Sequence, residues 1–241
     1  MDLGIAGKVA LVTASSKGLG RASAEALAAE GAKVVITARS EGPLRAAEAA
    51  IREAGGEVHA IVADVTDPAS PARLVEDTQR RYGALDILVA NAGGPPPGRA
   101  LEVTDEQIAA AVNANLTTSV RLVRAALPLL QANGWGRICC ITSSTIKQPM
   151  PGLVLSNLAR TGLWAWAKTA AADLFASGVT LNLVCPGSHA TDRMRELGGD
   201  LATMGDPAAF GRIVAFLCSQ PAGYLSGTAV MVDGAGSVGL L

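Results

Sequence analysis

Several things are scarce in this chain, and each scarcity narrows its function. Net charge of one sign is missing: 20 Lys and Arg face 21 Asp and Glu, for a formal charge of −1. That balance argues against a broad electrostatic footprint for nucleic acid. A small anionic ligand needs only a few local cations, so it stays open. No apolar run reaches the roughly 18–20 residues of a membrane span. The first residues, Met1-Asp2-Leu3-Gly4, are acidic and carry no signal-peptide pattern. A cytoplasmic location without a membrane partner is therefore expected. Only two histidines are present, and neither has ligand-like spacing to Cys or carboxylates. No metal site is expected from them. The four cysteines, Cys139, Cys140, Cys185 and Cys218, lack CxxC spacing and sit in apolar runs. They read as buried, reduced thiols acting as small hydrophobes. Long linkers, repeats and low-complexity tracts are absent too, so residues 1–241 read as one domain. Aromatic residues supply just 3% of the chain, and Ala, Leu, Val and Gly fill the core instead.

What is present is an alternation. Short Val/Ile-rich runs predict strands at Lys8–Thr13, Lys33–Ala38, Val58–Ala63, Leu85–Ala90, Arg137–Thr142, Thr180–Cys185 and Ala229–Val232. Longer Ala-rich patterns predict helices at Arg21–Glu30, Pro43–Ala54, Pro68–Arg81, Thr104–Leu130, Leu155–Phe175 and Pro207–Cys218. Continuously apolar strands separated by helices imply an α/β fold. We expect a Rossmann-type, doubly wound sheet of seven mainly parallel strands, with helices on both faces in three layers. In such sheets ligands bind outside the carboxyl ends of the strands.

After the first strand comes Thr13-Ala14-Ser15-Ser16-Lys17-Gly18-Leu19-Gly20, opening into a helix. Glycines let the backbone approach a pyrophosphate, and the helix N-terminus offers free N–H groups. Position matters here, because strand, loop and helix stand at the start of a βαβ series. Dinucleotide binding follows, with a merely structural tight turn as the duller alternative. An acidic residue after the second strand would pair with the ribose hydroxyls of NAD. This chain has Arg39 there, then Ser40, with Lys17 as a second cation in the glycine loop. Two cations suit a 2′-phosphate, so NADP(H) is favoured over NAD(H).

The chain resembles the short-chain dehydrogenase/reductase family over nearly its whole length. The matching pieces are the glycine loop, Asp64-Val65, Asn91-Ala92-Gly93, Asn115-Leu116, Ser143, Pro186-Gly187 and Asp233-Gly234. The resemblance implies hydride transfer between nicotinamide and a carbonyl or alcohol. It implies that Ser16, Lys17, Gly18, Leu19 and Gly20 hold the phosphate side of the cofactor. Asp64 and Val65 would flank the adenine, and Asn91, Ala92 and Gly93 the adenosine ribose. Pro186, Gly187 and Thr191 would contact the nicotinamide end. Ala14 stands where the family's first glycine usually sits, and fits there if its φ is negative.

The family's catalytic set is Asn, Ser, Tyr and Lys. Asn115 and Ser143 match the first two. Counting thirteen residues on from Ser143 lands on Ser156 instead of tyrosine, and four further on is Arg160 instead of lysine. Spacing of i,i+4 puts Ser156 and Arg160 on one helix face. Arg160 can donate to ribose hydroxyls but does not titrate near neutrality, and a serine is a far poorer acid than a phenol. Losing a positioned general acid costs about 10²–10⁴-fold. The two tyrosines, Tyr82 and Tyr224, fall near the ends of other elements, away from this site. Lys147, four residues after Ser143, is one alternative proton carrier, since a lysine desolvated there would titrate at about 7–8. His189 is another, and a water held by Ser143 and Asn115 a third. The plainer readings are a solvated Lys147 and, for His189, an ordinary loop residue.

Ser188–Gly205 is short for the family's substrate lid, and Gly198-Gly199 in its middle suits a mobile loop. The leading expectation is an NADP(H)-dependent oxidoreductase with a variant acid–base set, acting on a 3-oxoacyl thioester or small ketone. The alternative is a catalytically impaired NADP(H)-binding sensor or scaffold. The family resemblance further implies a homotetramer or homodimer built on the two long helices. Trp164 and Trp166, two residues apart, cannot share one helix face, so one suits a subunit contact and the duller reading buries both.

Overall fold

A computed structural model describes residues 1–196 and 198–239. The first half runs β1 (Val9–Val12), α1 (Gly18–Ala29), β2 (Lys33–Ala38), α2 (Glu41–Glu53), β3 (Val58–Val62), α3 (Ser70–Tyr82) and β4 (Ile87–Ala90). The second half runs α4 (Asp105–Val112), α5 (Thr118–Gln131), β5 (Gly136–Ile141), α6 (Val154–Phe175), β6 (Val179–Pro186), α7 (Asp192–Glu196), α8 (Pro207–Leu217) and β7 (Ala229–Val232). The seven strands form one sheet in the order β3-β2-β1-β4-β5-β6-β7, and every pairing is parallel.

β1, β4 and β5 are buried along their whole length because helices cover both faces. Their apolar runs therefore do not alternate with polar residues. One core, with Leu27, Ile36, Leu44 and Phe210, lies under α1, α2 and α8. The other, with Leu74, Leu122 and Leu163, lies under α3, α5 and α6. The strand order reverses between β1 and β4, so the crevice at their carboxyl ends is the switch point where such sheets take ligands.

α1 and α8 are neighbours although almost the whole chain separates them. Gly211 makes this possible: a Cβ there would stand 2.2 Å from the Ala22 carbonyl oxygen. No described helix is long and apolar enough to cross a membrane.

The expected single helix over Thr104–Leu130 is instead three pieces. α4 and α5 flank a π-helical turn at Asn113–Thr117. Thr104 starts α4 with a capping box, its hydroxyl accepting from the Gln107 N–H. The Thr118 hydroxyl donates to the Asn113 carbonyl five residues back, at 2.8 Å, which holds the widened turn. Apolar periodicity continues through such a turn, so the pattern alone reads as unbroken helix.

Candidate active site

The glycine loop is latched to the ends of the neighbouring strands. Thr13 and Asn91 exchange bonds, Thr13 Oγ1 donating to the Asn91 carbonyl at 2.7 Å and accepting from its N–H at 2.9 Å. Asn91 Nδ2 then donates to the Ala14 carbonyl at 3.0 Å. Ser15 Oγ donates to the Val12 carbonyl at 2.7 Å and accepts from the Thr37 N–H at 3.1 Å. These bonds hold Ala14 at φ +47°, in the left-handed region. The condition under which alanine would fit here easily, a negative φ, is not met. The flanking latch over-determines this residue and holds a conformation that an alanine avoids by itself.

Two glycines follow for different reasons. Gly18 has φ +60°. At Gly20 a Cβ would meet Asn91 Nδ2 at 2.5 Å, so a larger residue would push β4 from the loop. Lys17 is the N-cap of α1 and supplies no side-chain cap. The first-turn N–H groups of Gly18, Leu19 and Gly20 are thereby left for an outside acceptor. Those free donors suit a pyrophosphate. Ser16 and Leu19 are half-buried beside it.

Arg39 is exposed directly after β2. Asp64, after β3, accepts from the Thr66 N–H at 2.9 Å and the Thr66 hydroxyl at 2.7 Å. These bonds, with help from Arg39, hold its carboxyl below the usual range. Val65 is buried, Ala92 half-buried and Gly93 exposed. Across the crevice, Gly187 closes β6 by donating its N–H to the Val232 carbonyl at 3.0 Å. The Thr191 methyl lies 3.7 Å from where a Gly18 Cβ would be. The β6–α7 loop therefore faces the glycine loop. Lys17 Nζ reaches Glu196 at 3.9 Å over the same gap. Glu196 has no part in the sequence reading; an acid in the lid facing a loop lysine is the signal that marks it.

Of the catalytic candidates, Asn115 sits in the π-helical turn, 4% exposed, with Nδ2 3.5 Å from the Ala111 carbonyl. Ser143 follows β5 and its Oγ accepts from the Thr145 N–H at 3.2 Å, which leaves its own hydrogen to donate. Ser156 lies half-buried in the first turn of α6 and no hydrogen bond engages its hydroxyl among the described residues. Arg160 is 7% exposed. Its Nη1 is spent inward, donating to the Ile141 carbonyl at 3.2 Å and to the Thr142 carbonyl. Burial lowers its guanidinium pKa to about 10, still charged at neutral pH. Nε has no partner, and Nη2 makes no bond among the described residues.

The two side chains considered as replacement acids part company. His189 is buried, its Nδ1 3.2 Å from the Gly187 carbonyl and its ring edge-on to Phe210 at 5.1 Å. It packs the loop onto α8. Lys147 is half-buried with its Nζ 5.8 Å from the Trp164 ring centroid. Its charge, with that of Arg160, bears on the Cys185 thiol at the end of β6. Tyr82 and Tyr224 stand by the amino ends of β4 and β7, at the opposite edge of the sheet.

The rim is tied together by main-chain contacts. Gly98 bridges to Leu153, joining the proline loop to the start of α6. Arg193 Nη2 donates to the Pro95 carbonyl at 3.2 Å, linking α7 to that loop. His189 bridges to Gly205 at the lid's base. Gly198 has φ +77°, and its N–H donates to the Arg195 carbonyl. That segment is the turn ending α7. Among the described residues no group of three or more potential metal ligands comes together.

The family model for short chain dehydrogenases matches residues 8–201. A 3-oxoacyl-[acyl-carrier-protein] reductase of Haemophilus influenzae is 36% identical over 95% of this chain and 97% of its own length. Dehydrogenase/reductase SDR family member 4 of Homo sapiens is 32% identical over 95% of this chain and 87% of its own. Among solved structures, the L-sorbose reductase of Gluconobacter frateurii, complexed with NADPH and L-sorbose, superposes with a TM-score of 0.90. It is 31% identical and covers 97% of this chain and 98% of its own. With a matching sheet, a matching model over most of its length and these relatives, the chain belongs to the short-chain dehydrogenase/reductase family of oxidoreductase enzymes.

Proposed function

We propose that this enzyme is an NADP(H)-dependent reductase or dehydrogenase of small ketones or 3-oxoacyl thioesters that works without a side-chain general acid. The observation that carries the cofactor reading is the uncapped start of α1 beside Lys17 and Arg39, with no carboxylate directly after β2. The N–H groups of Gly18, Leu19 and Gly20, with Ser16, would hold the pyrophosphate. Lys17, once released from Glu196, and Arg39 would take the 2′-phosphate. Asp64 and Val65 would border the adenine, and Ala92 and Gly93 its ribose, while Asn91 keeps the glycine loop in place. Arg160 would offer Nη2 to the nicotinamide ribose, and Pro186, Gly187 and Thr191 would line the nicotinamide end. When bound, the nicotinamide supplies or accepts the hydride.

Ser143 orients the substrate oxygen by donating its free hydrogen. Ser156 adds a second hydroxyl on the facing helix. No titratable side chain bonds to either serine among the described residues. The proton therefore passes through water held by Ser143 and Asn115, with Lys147 at the rim as an electrostatic neighbour. The resemblance to the 3-oxoacyl-[acyl-carrier-protein] and L-sorbose reductases supports the substrate class, as what those proteins act on. Trp164 and Trp166 both pack partly against the second core, which supports the duller reading of that pair. Assembly as a homodimer or homotetramer through α4–α5 and α6 remains part of the proposal.

Calorimetry with NADPH and NADH tests the cofactor half. NADPH is expected to bind at least tenfold tighter, a difference of about 1.4 kcal/mol, and equal affinity would overturn it. NADPH oxidation across a panel of small ketones and 3-oxoacyl thioesters tests the rest. Tight binding with no turnover on any of them would favour a cofactor sensor.

A further inference from the structure

The opposite edge of the sheet carries a second concavity. It measures about 410 Å³ and is lined by Trp135, Arg137, Phe175, Thr180, Gln220 and Tyr224, among others. These residues stand at the amino ends of β5 and β6, so the six residues of β5 separate them from the candidate active site. At about 3.3 Å per residue that is roughly 20 Å. We propose that this concavity binds a small carboxylate that carries one negative charge and a flat apolar body.

The charge argument starts from Arg137, which is only 3% exposed. Nε donates to the Ser219 carbonyl at 3.0 Å and Nη1 to the Gly136 carbonyl at 2.9 Å. Nη2 has no partner among the described residues, and no carboxylate among them pairs with this guanidinium. Nη2 faces pocket-lining Gly223, where a Cβ would stand 3.1 Å away. A charge taken out of water without a counter-charge is costly, and carbonyl dipoles offset only part of that. Lys8, whose Nζ also lies over the Trp135 ring, shows the contrast, because Asp86 pairs with it at 3.3 Å.

The register supplies the second donor. Arg137 and Thr180 are direct partners across β5 and β6, so their side chains leave the sheet side by side. Thr180 Oγ1 is buried with no hydrogen-bond partner among the described residues. A carboxylate would accept from Nη2 and from this hydroxyl with its two oxygens. One unpaired guanidinium matches one negative charge, which favours a monocarboxylate over a phosphate dianion.

The walls argue for the flat body. Lys8 Nζ and the Arg137 guanidinium each lie 4.2 Å from the Trp135 ring centroid. Its indole N–H donates to Gln220, which fixes the ring plane. Phe175 and Tyr224 meet edge to face at 5.7 Å, and Tyr224 is 89% exposed. An aromatic this exposed, beside a buried cation, is placed for a planar partner.

The test uses the full chain and the indole N–H resonances of its tryptophans, with Trp135 assigned by Trp135→Phe. Benzoate is expected to shift the Trp135 resonance saturably. Acetate, benzyl alcohol and inorganic phosphate should each bind at least tenfold more weakly, lacking the body, the charge or the match of charge. Thr180→Val removes an unpaired hydroxyl, so the fold should hold with an unchanged or higher Tm while benzoate affinity drops about tenfold. Gly223→Val, which fills the space before Nη2, should abolish the shift. Absence of saturable benzoate binding would overturn the proposal. Acetate, benzyl alcohol or phosphate binding as well as benzoate would do the same, and so would binding unaffected by both substitutions.

Discussion

Replacing Ala14 by glycine should stabilise the protein, although Ala→Gly elsewhere in it should not. Ala14 is held at φ +47° by the Asn91 bond to its carbonyl and by the Ser15 bonds beside it. A non-glycine residue there costs about 1–2 kcal/mol. Glycine removes that strain, but it also frees the unfolded chain by about 0.4–1 kcal/mol. The half-buried methyl is lost as well, worth about 0.4 kcal/mol as half of a buried methylene. The balance is a gain of about 0.5 kcal/mol, or a Tm rise of roughly 1–2 °C for a chain of this size. Urea unfolding followed by tryptophan fluorescence measures it. The control is Ala10→Gly in the middle of β1, where the same change should cost about 1 kcal/mol or more. If Ala14→Gly destabilises as much as the control, the strained loop is not real and the argument fails.

Four other outcomes are open to measurement. Arg39→Asp should weaken NADPH binding by at least about tenfold while NADH binding holds or improves; unchanged discrimination in calorimetry would remove Arg39 from the phosphate site. Ser156→Tyr with Arg160→Lys should raise turnover by about 10²–10⁴-fold if a positioned acid is what the site lacks, and a fall in kcat would refute the water route. Thr118→Val should cost about 1 kcal/mol of stability and lower kcat by about 10–100-fold, by loosening the turn that carries Asn115; an unaltered kcat would separate that turn from catalysis. Burial pushes the Cys140 thiol up to about 12. Its stabilisation should be complete below the unfolded thiol's pKa of about 8.5 and fade as pH climbs toward 12, because the unfolded chain then loses the proton first. The loss is at most about 5 kcal/mol, and urea midpoints of Cys140→Ala that fall as steeply between about pH 8 and 10 would contradict it.

Sequence periodicity located all seven strands because each is a largely apolar run between helices; burial on both faces imposes this on β1, β4 and β5, while β3 and β7 are only partly buried. Boundaries slipped by one residue at β1, β3, β5 and β6 and by two at the start of β4. The break in the helix around Asn115 was not legible, since a π turn alters hydrogen bonding and leaves hydropathy untouched. Ala14 was misjudged for a related reason: its φ is set by Asn91, 77 residues away, and nothing beside Ala14 in the chain reports that bond. The substitution at Ser156 was visible by counting from Ser143. Which way Arg160 turns was not, because it depends on two carbonyls at the end of β5 that become neighbours only on folding.

The contact of α1 with α8 through Gly211 has a consequence for synthesis. A ribosome makes the phosphate-cradling loop and its helix first, and the helix that covers them almost last. β1 gains β4 only after residue 90 has emerged, and α1 keeps an uncovered apolar flank until α8 arrives some 180 residues after α1. Late, long-range closure of this kind leaves sticky surface exposed while the chain waits. A chain released before Pro207 would hold the nucleotide loop without the brace behind it, and should be degraded or aggregate before it ever binds a cofactor.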